Sequence, residues 1–323
     1  MEYKNIAYVS KPVSRIFFGA ASSPFLQGGD GGALLDAAMA LGINAIDTAR
    51  KYGLSEQSIG RWMAERGNRE QVVLLSKCGH PDDQGGKRVT EKDMWEDLTV
   101  SLQLLGTDYI DIYLLHRDDP DTDVSVAVET FNAMHAKGRI GAFGGSNWTH
   151  QRIEEANEYA EKHHLLPFSV SSPNFGLAEQ VSDLWGGGCV SISGPHQAEA
   201  RAWYVQNQMP VIAYSSLARG LFSGRLSSRE ADRAAQVLDD FTMRGYVSPD
   251  NFRRLARCEE MAEKKGCAVS QIAMAWIFHQ PVNTFAVVST HDPARMKQNV
   301  QALSLPLTRE EAEYLDLRRD KPE

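Results

Sequence analysis

Short apolar runs recur along the chain with amphipathic stretches between them, and this alternation predicts eight strand-helix units. The runs are Ile16–Gly19, Ala45–Thr48, Val72–Lys77, Tyr109–His116, Ile140–Ser146, Phe168–Ser172, Val211–Ser215 and Phe285–Ser289. Unbroken segments such as VVLL and YIDIYLL suit parallel strands covered by helices, because both faces of such strands are shielded from water. Helical spacing of apolar positions marks Gly31–Leu41, Glu56–Glu65, Glu91–Leu105, Val124–Lys137, His150–Lys162, Gln197–Gln208, Asn251–Lys265 and Ser270–His279. Gly42, Gly67, Gly106, Gly138 and Gly266 follow helical stretches, where a left-handed residue closes a helix C-terminus.

Eight β/α units in 323 residues predict an α/β fold of the closed (β/α)8 TIM-barrel type, ahead of a doubly wound open sheet. The stretch FFGAASSPFLQGGDGG after the first strand lacks the G-x-G-x-x-G turn of a dinucleotide-binding open sheet. The whole of 1–323 is expected to form one barrel domain. A hairpin from Tyr3–Val9 and Ser14–Phe17 would close its bottom, and Leu307–Arg318 would add a final helix outside the repeat. Ala178–Gln197 and Leu217–Asp250 are too long for minimal connections, and both follow strand C-terminal ends, where barrel enzymes build their sites.

With 42% hydrophobic and 24% charged residues and no low-complexity tract, the composition is globular. A formal charge of −8 supplies no basic field for a nucleic acid. No apolar stretch approaches the ~18 residues needed to span a bilayer, and MEYKNIAYVS lacks the basic-then-apolar form of a signal peptide, so the expectation is no membrane association and a cytoplasmic location. Cys78, Cys189, Cys258 and Cys267 have no metal-site or redox spacing and are expected to be packed thiols; no metal is expected. His163–His164 reads as a solvated helix end. Trp62, Trp95, Trp203 and Trp276 fall inside amphipathic helices and read as packing, whereas Trp148 and Trp185 follow strands on the active rim and are even candidates for lining a pocket.

Four polar residues share that rim: Asp47 at the end of the second strand, Tyr52 in the loop after it, Lys77 ending the third strand and His116 ending the fourth. Each is costly to desolvate unless paired, so a barrel built for packing alone would place apolar groups there. An Asp47–Lys77 rim ion pair by itself would be ordinary, but a phenol and an imidazole on the same face shift the balance toward chemistry.

The segments GINAIDTARKYG, VVLLSKCG, YIDIYLLHRDDP, IGAFGGSN, PVIAYSSLARGLFSG and DPARMKQNV resemble, in order and spacing, motifs of the aldo-keto reductases over nearly the whole chain. The resemblance implies a carbonyl reductase that uses NADP(H), with NAD(H) second, and takes a small-molecule carbonyl or alcohol substrate. It places Asp47, Tyr52, Lys77 and His116 in the catalytic tetrad. Ser146 and Asn147 would bond the nicotinamide carboxamide, with Ser172 standing where many members carry glutamine. Tyr214 would stack on the nicotinamide, Ser215, Leu217, Arg219 and Gly220 would follow the pyrophosphate, and Arg295, Gln298 and Asn299 would hold the adenosine end. Ser289 occupies the place of a lysine that often binds the 2′-phosphate, which leaves Arg295 as the phosphate partner.

In the implied reaction Tyr52 donates a proton to the carbonyl oxygen. A free phenol is a weak acid near neutrality, and Lys77 at about 4 Å would contribute about 4 kcal/mol, or about three pKa units before counter-charges reduce it. A neutral His116 would orient the carbonyl. Arg50, Lys51, His80 and Arg117 add positive charge to the rim and favour a keto-sugar, polyol or other small polar carbonyl. Two other readings stand beside this one: a nucleotide-binding regulatory chain like the potassium-channel β subunits, and an isomerase or aldolase using Lys77 as a Schiff base. The sequence leaves the oligomeric state open.

Overall fold

A computed structural model describes residues 1–322 as two compact units, Met1–Ser172 and Pro173 onward. In the first unit β1 (Tyr3–Lys4) pairs antiparallel with β2 (Val13–Ser14). The strands β3 (Ile16–Gly19), β4 (Ala45–Asp47), β5 (Val73–Cys78), β6 (Ile110–Leu115), β7 (Ile140–Ser146) and β8 (Val170–Ser172) are parallel neighbours in chain order. In the second unit β9 (Val211–Ala213) and β10 (Thr284–Val288) pair parallel, with Phe285 opposite Ile212. The strand order is that of a closed eight-stranded barrel, running from β10 through β3 to β9.

Burial explains why these segments are strands. Every residue of β5 (VLLSKC) and β6 (IDIYLL) is buried, so both faces are covered and the apolar runs are continuous. Between the strands of the first unit lie α1 (Gly32–Ala40), α2 (Ser55–Arg66), α3 (Glu91–Leu105), α4 (Val124–Ala136) and α5 (His150–Lys162). Thr90, Asp123 and Thr149 cap three of these by accepting backbone N–H bonds of the first turn. The second unit holds α6 (Ala198–Asn207), α7 (Ala234–Val237), α8 (Asp240–Tyr246), α9 (Pro249–Lys265), α10 (Val269–Phe278), α11 (Pro293–Gln301) and α12 (Arg309–Leu315).

The hairpin is shorter than the sequence predicts, because Ser14–Phe17 is shared between two strands. The Ser14 hydroxyl donates to the Ile16 carbonyl at 2.7 Å and accepts from the Asn44 amide at 3.2 Å, turning the chain from hairpin into barrel. The connection 217–250 carries α7 and α8. The connection 178–197 is organised by Asp183, whose carboxylate accepts from the Trp185 and Cys189 amides, each at 2.8 Å. Helix α11 has no counterpart among the expected helices: only Met296 and Asn299 in it are buried, too few to show helical periodicity. Among the described residues no helix is long and apolar enough to cross a membrane, and no cluster of three metal-ligating side chains occurs.

Candidate active site

Backbone ladders bring four distant residues of the first unit together. Past the end of β4, the Thr48 amide donates to Leu75 O at 2.9 Å and the Arg50 amide to Lys77 O at 3.0 Å, so the loop that carries Tyr52 is zipped onto β5. The His116 amide donates to Cys78 O at 2.7 Å and docks the residue after β6 on the same strand. Alternation along β5 turns Lys77 to the face opposite Ser76. The Lys77 ammonium is ion-paired with Asp47, donates to Thr48 O at 2.9 Å, and lies 4.9 Å from the centroid of the Tyr52 ring. The Tyr52 phenol is also one of its electrostatic partners. The rings of Tyr52 and His116 meet edge to face with centroids 5.4 Å apart. Asp47 and Lys77 are only 5% and 3% exposed, so their pairing offsets a large desolvation cost.

Burial would discharge the Lys77 amine, but Asp47 and then Tyr52 outweigh it and hold the group charged, above its ordinary value. Burial raises the Asp47 carboxyl, with Lys77 pulling against it. The Tyr52 phenol is also raised: burial dominates, and the Lys77 field only offsets part of the rise. The net depression that a lysine partner suggests from sequence is therefore reversed, because the same enclosure that strengthens the field also penalises the phenolate. His116 is pushed well below the usual histidine value by burial and by Lys77, His80, Arg117 and Lys51, which fixes it as a neutral imidazole. Its Nδ1 is buried without a hydrogen-bond partner among the described residues.

Beside these, the Ser146 hydroxyl donates to Ser172 O at 3.0 Å across the β7/β8 register. Asn147, in the left-handed region at φ 60°, donates from Nδ2 to His116 O and to Ser146 Oγ, both at 3.2 Å. Ser146, Asn147 and Ser172 thus form one buried set that also touches the backbone of His116. In the second unit Tyr214 follows β9, half-buried, with its hydroxyl donating to Val190 O at 3.4 Å. The turn after it carries positive φ at Ser215, Ala218, Arg219 and Gly220. It closes on itself through Ala218 N to Ser215 O at 2.7 Å and Gly220 N to Leu217 O at 3.0 Å. The Arg219 guanidinium pairs with Asp239 at 2.8 Å and lies over the rings of Trp185 and Phe241, at 5.8 and 5.3 Å. Arg295, Gln298 and Asn299 occupy positions i, i+3 and i+4 of α11 and so share one face. Arg295 is exposed and paired loosely with Asp292 at 3.7 Å, and Ser289 is exposed.

Some expectations shift. Trp148 is 1% exposed and packs against Phe168 with ring centroids 5.3 Å apart, so it is core and not pocket lining. Trp185 is 41% exposed, against Tyr214 and Phe241. Cys78 is buried, and burial pushes its thiol far up, as packing requires. His80 does not add charge to the rim: burial lowers it, and its ring lies edge-on to His116 at 4.8 Å. Glu56, unmarked in the sequence, is a buried carboxylate that accepts from Ser76 Oγ at 2.7 Å, with Arg50 3.8 Å away. A cavity of about 740 Å³ in the first unit is lined by Arg69, Trp95, Gln103, Thr107 and Arg139. It lies at the N-terminal ends of β5 to β7 and shares no residue with the polar rim.

A parallel barrel whose strand C-terminal ends carry a buried ammonium, a phenol beside it and a neutral imidazole is the architecture of a barrel enzyme. Residues 16–318 match the model of the Aldo/keto reductase family, and the chain belongs to that oxidoreductase family. It is 27% identical to an aldo-keto reductase of Strobilurus tenacellus, over 86% of this chain and 77% of the relative. It is 27% identical to an aryl-alcohol dehydrogenase of Pestalotiopsis microspora, over 88% and 71%, and 26% identical to the protein tas of Escherichia coli, over 95% and 94%.

Proposed function

We propose that this chain interconverts an aldehyde or ketone with the corresponding alcohol, using a nicotinamide dinucleotide and Tyr52 as the proton donor and acceptor. The observation that carries this reading is the Tyr52 ring with the Lys77 ammonium 4.9 Å from its centre, an ammonium that Asp47 keeps charged, beside a neutral His116. When bound, the nucleotide supplies the hydride that reduces the carbonyl carbon. The chain's own groups handle the oxygen. A raised phenol stays protonated at neutral pH and is ready to donate. As its proton leaves, negative charge develops on a phenol that lies within the field of the Lys77 ammonium, so the ammonium stabilises the late stage of transfer more than the starting state. His116, neutral, orients the substrate oxygen without competing for the proton.

The residues present fit such a nucleotide. Ser146, Asn147 and Ser172 would hold its nicotinamide end, and the half-buried Tyr214 ring offers a stacking face. Ser215, Leu217, Arg219 and Gly220 would follow the pyrophosphate, and Ser289, Arg295, Gln298 and Asn299 the adenosine. NADP(H) is preferred over NAD(H), because an exposed guanidinium whose carboxylate partner is loose can take a phosphate in its place. The substrate is a small carbonyl compound, and a keto-sugar or other polar carbonyl suits the charges of Arg50, Lys51 and Arg117. The proposed domain organisation is one barrel domain over 1–323, and the proposed location is cytoplasmic.

A Schiff-base reading is disfavoured, since the lysine must be uncharged to attack a carbonyl and Asp47 holds Lys77 charged. The test is nucleotide oxidation across aldehydes, ketoses, aryl aldehydes and quinones, with NADPH and NADH compared. Turnover with lower KM for NADPH supports the proposal. A clear preference for NADH overturns the cofactor choice, and tight nucleotide retention without turnover marks a regulatory chain.

A further inference from the structure

His80 lies outside the tetrad, yet it has the closest ring contact that His116 makes. The chain leaves β5 at Cys78 and turns through Gly79, at φ 69°, whose amide donates to Asp97 Oδ2 at 3.0 Å. A Cβ at Gly79 would sit 2.6 Å from the Leu115 side chain, so the turn is fixed tightly against the end of β6. This places the His80 ring edge-on to His116, with centroids 4.8 Å apart and planes at 75°. On another contact Tyr52 meets His116 at 5.4 Å and 82°.

His116 needs such walls. Its Nδ1 is buried and has no hydrogen-bond partner among the described residues, so no polar contact at that atom sets the rotation of the ring. A histidine that orients a substrate is commonly held by a bond at its far nitrogen. Here two aromatic edges take that place. His80 is itself anchored: its Nδ1 lies 2.8 Å from the Pro81 carbonyl oxygen, which can only accept, so Nδ1 carries the proton. Burial, helped by the cations Arg117 and Lys51, lowers its pKa against the opposing Pro81 bond and Asp83, so the anchored ring is a neutral wall.

We propose that His80 is a positioning residue for this site, holding the His116 imidazole in its working orientation by ring packing. The inference rests on the reductase reading above for its kinetic arm only. A flat ring supplies the wall, and the Nδ1 bond to Pro81 adds to its placement without being essential to it. His80→Phe therefore keeps the function and His80→Ala loses it.

The expected result for His80→Ala is a kcat lowered by about tenfold to a hundredfold, the range that misplacement of a site group produces. Nucleotide affinity should be unchanged, and His80→Phe should restore most of the rate. An alanine variant with wild-type kcat, or a phenylalanine variant as impaired as alanine, overturns the proposal. A second arm needs no turnover: titration of the His116 ring by NMR. Lys77, Arg117, Lys51 and Tyr52 still face His116 in both variants. In His80→Ala, water reaches the exposed ring face and the His116 pKa rises toward its ordinary value, while in His80→Phe it stays depressed. An unshifted His116 in the alanine variant overturns the inference even if the enzyme turns out to reduce no carbonyl. Absence of turnover in the wild-type chain, with the NMR shift intact, would count against the reductase reading alone.

Discussion

Tyr52 and His116 meet edge to face at 5.4 Å, and the Lys77 ammonium stands 4.9 Å from the centre of the same phenol ring. The hydroxyl of Tyr52 is the group that can move a proton in this arrangement. Tyr52→Phe should lower kcat by about 10²- to 10⁴-fold, the usual contribution of a positioned general acid. Its ring contacts with His116 and Lys77 survive the substitution, so nucleotide affinity, followed by fluorescence titration, should stay at the wild-type value. A phenylalanine variant that turns over at near-normal rate would remove Tyr52 from the mechanism.

The Asp47–Lys77 pair gives a prediction about stability as well as rate. Lys77→Met leaves the Asp47 carboxylate buried without its cation, which costs about 3–5 kcal/mol. Replacing both, as Asp47→Leu with Lys77→Met, removes the stranded charge and should recover most of that loss. Both variants should be inactive. Urea unfolding of the wild type, the single and the double variant reads the difference, and equal stabilities for the two variants would show that the pair is not what compensates the burial.

The features legible in the sequence are those written in local pattern. Strand β5 could be read because burial on both faces makes its run continuous, and its neighbours β4 and β6 because Gly42 and Gly106, both at positive φ, mark the ends of the helices before them. The polar rim could be located because Asp47, Lys77 and His116 each sit at or beside a strand end. Helix α11 was not legible, since it buries only two of its residues. The neutrality of His80 and the net rise of the Tyr52 phenol were not legible either. Both depend on enclosure by residues from other elements, and no spacing along the chain encodes how much water a group loses.

Gly144, inside β7, is required by contact and not by turn geometry. A Cβ there would lie 1.8 Å from the backbone oxygen of Val170 on the neighbouring strand, and a backbone atom cannot move aside cheaply. Gly144→Ala should therefore prevent a native β7/β8 pairing, seen as loss of near-ultraviolet circular dichroism or of recoverable folded protein. Gly67→Ala is the contrasting case: nothing lies within 4 Å of its Cβ, but φ is +61°, so it should fold and lose only about 1–2 kcal/mol. Equal outcomes for the two would reject the steric argument.

The Asp239–Arg219 pair predicts a pH signature in the second unit. Partial burial would raise the Asp239 carboxyl, but bonds from Arg219 and Thr242 prevail and hold it at about 2, below its ordinary 3.8. Because the folded value is the lower one, the unfolded chain takes up the proton first as pH falls. The stabilisation is complete above the unfolded value and is lost as pH drops from there toward about 2. Asp239→Asn keeps an acceptor for the Thr242 amide at the start of α8 and removes only the charge. The stability gap between wild type and variant should thus be open at about pH 6 and narrowed at about pH 3. Asp239 is half exposed, so added salt should shrink the gap at the higher pH. A gap that stays constant across both pH values would mean that the aspartate acts through its cap alone, and that Arg219 is held by the Trp185 and Phe241 rings instead.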